Sequence, residues 1–281
     1  MKLHDKRYKR WQEFSVRLRQ REQSGVRLLL LAAHPDDESI GASVLLPKFM
    51  SSVVFLTDGA PRDSSLWTGG PYRSHEEYAA RRRVEAARAL AVAGIPNDRI
   101  RWLGGTDQEA VARIGELAQK LGRLLLELEP ELLVTHPYEG GHPDHDAAAL
   151  IARRAGEQLA EKRPQLVEMT SYHIRNGACV TGEFLPFGAV PELAIEFSKK
   201  EKERKATMLA AHESQQVVLG RFRVDRELFR AAPEYDFSKA PHPGKLWYEC
   251  MNWGITGERW RQLAGEQTSP SAVLMRSRSC G

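Results

Sequence analysis

Apolar positions follow two alternating rhythms along this chain. The runs "VRLLLLAA" (26–33), "SSVVFLT" (51–57), "RIRWLG" (99–104) and "ELLVTH" (131–136) have the length and continuity of strands buried on both faces. Between them the spacing changes to that of helices. Ser74 stands three residues before Glu77, a capping-box spacing that predicts a helix through "EEYAARRRVEAARALAVAG", stopped by Gly94 and Pro96. A second helix is predicted from Gln108 to Leu128, with Val111, Ile114, Ala118, Leu121, Leu125 and Leu128 on one face and Pro130 beyond its end. Past Arg163 the pattern loosens into a strand at "EMTSYHI" (168–174), a mixed stretch "AVPELAIEFS" (189–198) and a helix "SKKEKERKATMLAAH" (198–212).

Strands alternating with helices predict a mostly parallel sheet wound by right-handed crossovers, a doubly wound α/β fold of Rossmann-like type. We divide the chain into a basic N-terminal helix (1–25) carrying Trp11, Phe14 and Leu18 on one side, a single α/β domain (26–263), and a Ser/Arg/Gly-containing tail (264–281) expected to be mobile. In such a sheet, ligands bind outside the carboxyl ends of the strands, so the residues that follow each strand matter most. Those residues are polar: His34-Pro35-Asp36-Asp37-Glu38 after the first strand, Thr57-Asp58-Gly59 after the second, Thr106-Asp107 after the third, and "HPYEGGHPDHD" after the fourth.

Composition narrows the function class. With 281 residues, 42% of them hydrophobic, the chain can bury a large core. Its 41 basic and 37 acidic residues leave a net charge of +4, no basis for nucleic-acid binding. Cys179, Cys250 and Cys280 are odd in number and far apart, which argues against a disulfide framework or a thiolate cage and points to a reducing, cytoplasmic setting. No apolar run has the length of a membrane span, and the basic N-terminus has no apolar core of a secretory signal. A homo-oligomer is compatible with all of this.

The three consecutive acids of "AAHPDDESIG" repel one another unless the turn is solvated or a cation offsets the charge. His34 and Asp37, with His145 arriving after the fourth strand, offer two imidazoles and a carboxylate, a donor set suited to zinc with a position left for water. Asp37 would bind the metal, Asp36 would face the cavity as a base, and Glu38 would hydrogen-bond behind them. His142 and His145, three apart in "GGHPDHD", place a second His/Asp cluster at the same predicted edge.

These motifs together resemble the PIG-L/LmbE-like metal-dependent deacetylases, which remove acetyl groups from N-acetylglucosaminyl compounds. The resemblance runs from about Arg27 to Gln215 and includes "TDG" (57–59), "RRVE" (82–85), Asp107 and "AAHESQ" (210–215). It implies zinc on His34, Asp37 and His145, with iron as an alternative, and Asp36 as general base. It further implies His142 as the group that steadies the oxyanion, Asp144 as its orienting partner, and Arg82 and Asp107 as contacts to the sugar. On residue pattern alone, Arg82 reads equally as part of a solvated Arg81–Arg83 run, and Asp107 as a helix cap. The chain departs from the family at Gly140, where some members carry tyrosine. The function so implied is hydrolysis of the acetyl group of a small N-acetylated sugar or glycoconjugate. A non-catalytic sugar- or nucleotide-binding module is one rival. A metal-dependent phosphoesterase is the other, although a glycine-rich phosphate loop and a second ligand set are missing.

Overall fold

A computed structural model of the chain describes residues 3–20, 24–159 and 162–267. Strands β1 (Arg27–Ala32), β2 (Met50–Pro61), β3 (Ile100–Asp107), β4 (Leu132–Thr135) and β5 (Gln165–Met169) form the parallel part of a seven-stranded sheet. Two more strands, β8 (Glu192–Glu196) and β9 (Arg226–Ala231), add antiparallel at one edge, giving the order β3-β2-β1-β4-β5-β9-β8. A separate antiparallel hairpin pairs β6 (Tyr172–Arg175) with β7 (Ala178–Thr181). The fold is mostly parallel α/β, as the alternation of patterns predicts.

Both faces of the sheet are covered, which is why Leu28 to Leu31 are all buried despite the lack of alternation in their sequence. Leu28 and Leu30 share a core with helices α1 (Leu3–Gln20), α3 (His75–Val92) and α6 (Lys199–Ala211). Leu29 and Leu31 face α4 (Ile114–Leu128), α5 (Pro143–Glu157) and α9 (Gly257–Glu266). Short helices α2 (Asp37–Gly41), α7 (Gln216–Leu219) and α8 (Trp247–Cys250) complete the set. In α1, Trp11, Phe14 and Leu18 enter the first core, and Phe14 packs against Phe49 with ring centroids 5.7 Å apart.

Three expectations need adjustment. "EMTSYHI" is not one strand: β5 ends at Met169, Thr170 and Ser171 turn the chain, and Tyr172 starts the hairpin. The helix expected from Gln108 begins as a single 3-10 turn at Ala110–Arg113, because Gln108 adopts φ 69°, outside helical geometry. The boundary set at residue 264 falls inside α9, which the Thr256 side chain caps through Arg259 N and which buries Ala264. Most of the expected tail, residues 268–281, lies outside the described residues.

Trp260 on α9 is fully buried, packs on Tyr138 and donates its indole N–H to Pro143 O at 2.9 Å. Trp260→Ala is expected to lower unfolding free energy by about 3–5 kcal/mol. Denaturant titration checks this, and a loss under about 1 kcal/mol would mean that α9 does not hold the core.

Candidate active site

The order of the parallel strands reverses between β1 and β4, so the loops after these two strands diverge and leave a crevice at their carboxyl ends. His34, Asp36 and Asp37 follow β1, while His136, His142, Asp144 and His145 follow β4. All seven are buried. The β1 loop is strained at Asp36, a non-glycine residue at φ 148°, and held there because its N–H donates to Glu38 Oε2 at 2.9 Å. The β4 loop is held by Asp146, whose Oδ1 accepts from the N–H groups of Glu139 and Gly140 at 3.2 and 3.0 Å. Only glycine fits at 141, where a Cβ would lie 1.9 Å from Tyr172 O.

Two donor groups share His34. In one, ligand atoms of His34, Asp37 and His145 lie within 4.8 Å of one another; in the other, those of His34, Asp107, His142 and Asp144 do. His145 Nε2 is 3.3 Å from Asp37 Oδ1, and His34 Nδ1 is 3.4 Å from Asp37 Oδ2, which also accepts from His34 N at 2.8 Å. His145 Nε2 and Asp107 Oδ1 are buried without a hydrogen bond. One orphan belongs to each group, and an unpaired buried acceptor is what a cation would satisfy. The second group is less free. Asp144 accepts from Gln108 N at 2.6 Å and Ala110 N at 3.1 Å, so both of its carboxylate oxygens are engaged.

Electrostatics suit a cation in both groups, since Asp107 and His142 are lowered like Asp37 and His145. Burial pushes the Asp37 carboxyl up, but the imidazoles of His136 and His145 outweigh it and hold the group well below the usual carboxylate range. Burial, aided by His136, lowers His145 to about 3. An ionised carboxylate and a neutral imidazole are the protonation states that a metal needs. For His34, burial is outweighed by Asp107, Asp144 and Asp37, which raise its pKa well above the ordinary value.

Asp36 is distinct from Asp37. Burial pushes it up to about 7, against the pull of Arg82, whose Nη2 lies 3.0 Å from Asp36 Oδ2. Arg82 is itself buried and donates to Gly59 O and Pro35 O, each at 2.7 Å. It is therefore no part of a solvated run, and its described bonds fix the β1 loop. Asp107 does not cap a helix; its Oδ1 faces His34 Nε2 at 3.3 Å and His142 Nε2 at 3.6 Å. His142 caps α5, its Nδ1 accepting from Asp144 N at 3.1 Å, so its Nε2 carries the hydrogen when the ring is neutral. Burial and nearby His34 push His142 well below the ordinary imidazole value. The bond from Asp144 to His142 thus comes from the main chain, whereas the Asp144 carboxylate faces His34 at 3.3 Å.

Two further histidines brace the cluster from behind. His136 Nε2 lies 3.3 Å from Asp37 Oδ2 and accepts from Ala33 N at 3.1 Å, and its ring stacks on His145 at 4.0 Å. Its position directly after β4 was the available signal. His212, from "AAHESQ", lies 2.8 Å from Glu38 Oε1 and so braces the acid that holds Asp36. Among the described residues a cavity of about 420 Å³ lies elsewhere, lined by Phe14, Arg27, Leu125 and Pro164 at the opposite ends of the strands. It contains none of the His/Asp cluster.

A buried His/Asp centre at the switch point of a doubly wound sheet is where an α/β domain of this class binds its ligand. Residues 29–156 match the PIG-L family, described as GlcNAc-PI de-N-acetylase. The chain is 33% identical over 173 residues to 1D-myo-inositol 2-acetamido-2-deoxy-alpha-D-glucopyranoside deacetylase of Streptomyces scabiei, covering 51% of this chain and 53% of that protein. It is 28% identical to mycothiol S-conjugate amidase of Streptomyces coelicolor, covering 52% and 58%. The chain thus spans just over half the length of these relatives. Among solved structures, a deacetylase of the teicoplanin biosynthesis pathway shares the fold with TM-score 0.57 at 17% identity, covering 75% of this chain and 99% of that one. N,N'-diacetylchitobiose deacetylase from Pyrococcus horikoshii does so with TM-score 0.52 at 22% identity, covering 76% and 80%. No helix among the described residues is long and apolar enough to cross a membrane.

Proposed function

We propose that the chain is a metal-dependent deacetylase that removes the acetyl group from a small N-acetylated sugar or glycoconjugate. The observation that carries this reading is the pairing of a two-imidazole, one-carboxylate donor set, His34, Asp37 and His145, with a separate buried carboxylate, Asp36, on the adjacent residue. The names of the relatives support the substrate class. Zinc fits the donor types, and iron suits them too.

His34, Asp37 and His145 would hold a divalent ion, which would supply Lewis-acid polarisation of the acetyl carbonyl and acidification of the attacking water. Asp36 takes a proton from that water as its oxygen bonds to the carbonyl carbon, then returns it to the departing nitrogen. The His142 Nε2–H donates to the carbonyl oxygen as negative charge develops there. The C–N bond breaks, leaving acetate and a free amine. Arg82 holds the Asp36 carboxylate in line, and Asp144 fixes the His142 ring through its main-chain N–H. Asp107 borders the same space beside His34 and His142, where a sugar hydroxyl can reach it.

The direct test is to incubate zinc-loaded protein with N-acetylglucosaminides and with phosphate monoesters. Acetate and amine appearing together support the reading, and phosphate release in their place would move the chain to the phosphoesterases. Arg82 offers a further check. Asp36 works only when ionised, so activity falls as pH drops through its pKa. Removing the Arg82 charge raises that pKa. Arg82→Gln is therefore expected to shift the acidic limb of kcat/KM to higher pH, with Arg82→Lys in between; an unmoved limb would detach Arg82 from the base.

A further inference from the structure

The segment from Leu246 to Glu266 lies beyond the family match, yet it is built onto the candidate site. Trp247 N donates to Gly140 O at 2.8 Å, and the indole of Trp260 donates to Pro143 O at 2.9 Å, so the loop carrying His142 is held on both sides. Leu246 packs so closely on Gly140 that a Cβ there would meet its Cδ2 at 2.7 Å. Beyond α8 the chain makes a tight turn, with Asn252 at φ 53° and Gly254 at φ 76°, and Trp253 N donates to Tyr248 O at 3.2 Å. This turn sets the Trp253 ring 4.8 Å from the ring of His142, at an interplanar angle of 51°. The ring is half-buried, and among the described residues its indole N–H has no hydrogen-bond partner.

We propose that Trp253 is the platform on which the amine-bearing sugar ring of the substrate rests, an inference that takes its substrate class from the deacetylase reading. His142 faces the amide carbonyl in that reading, so the Trp253 ring that packs on it is one group away from the scissile bond. The acetyl methyl is small and follows the carbonyl inward. The ring on the nitrogen is the part that extends toward solvent, and a half-exposed indole beside His142 meets that part. A pyranose presents a face of C–H bonds that packs on an aromatic plane, while the free indole N–H can donate to a ring hydroxyl. The Gly140 and Pro143 bonds fix the turn before substrate arrives, so little ordering is left for binding.

Calorimetry with methyl 2-acetamido-2-deoxy-β-D-glucopyranoside tests this, using the zinc-loaded Asp36→Asn protein so that the probe is not consumed. Adding Trp253→Ala should weaken binding by about tenfold, and Trp253→Phe, which keeps a ring, should recover most of that loss. In the otherwise unmutated protein, Trp253→Ala should raise KM for the same glycoside about tenfold, with kcat changing by less than about threefold. Equal affinity with and without the indole, or no binding to either protein, overturns the platform. A fall in kcat at constant KM also overturns it, assigning Trp253 to bracing His142. Indole-dependent binding without acetate release from the unmutated chain keeps the platform and removes the deacetylase reading.

Discussion

Asp36→Asn is expected to lower turnover by about two to four orders of magnitude while fold and metal content stay unchanged. The substitution keeps the size of the side chain and an oxygen for Arg82, and the main-chain bond to Glu38 that fixes the strained Asp36 conformation does not involve the side chain. What it removes is a carboxylate able to accept a proton. Burial raises that group to about 7 in the metal-free chain, and a cation beside it lowers the value, so the acidic limb of kcat/KM should fall below that point. Residual activity of Asp36→Asn should lack the limb. Steady-state kinetics across pH with parallel metal analysis checks both parts; full activity in the variant would reduce the acidic run to a structural turn.

His145→Ala should have a comparably large effect by a different route. It removes one of the three proposed ligands, an imidazole 3.3 Å from Asp37, so metal content and activity should be lost together. Asp37→Asn weakens the same centre but leaves an amide oxygen, and excess zinc should restore part of its activity. The two adjacent aspartates therefore differ in kind: one variant keeps metal without turnover, the other regains turnover with metal. Metal analysis after dialysis, set beside activity with added zinc, tells them apart. Tight zinc retention by His145→Ala would transfer the ligand role, with His142 the first candidate.

The central sheet is legible because strands buried on both faces announce themselves as unbroken apolar runs, and because alternation with helices leaves few topologies. The convergence of His34, Asp37 and His145 is legible for the same reason: residues directly after parallel strands meet at one edge. What sequence hides is burial of charge by distant partners. β9, "RELFRA", does not look like an interior strand, yet Glu227 is buried against Lys205 at 2.9 Å and Arg230 against Glu168 at 2.7 Å. Arg82 hides in an arginine run because its partners Pro35, Asp36 and Gly59 are 23 to 47 positions away. Trp253 gave no local signal at all, since its position depends on a turn docked onto Gly140.

The proposed mechanism needs one cation held by His34, Asp37 and His145, beside a base that is not a ligand. Anomalous diffraction at the zinc edge, from crystals of zinc-loaded protein, locates that ion directly. One peak per chain is expected, within bonding distance of His34, Asp37 and His145 and with the Asp36 carboxylate outside the coordination sphere. Two peaks, or a single peak bounded by Asp107, His142 and Asp144, would contradict it.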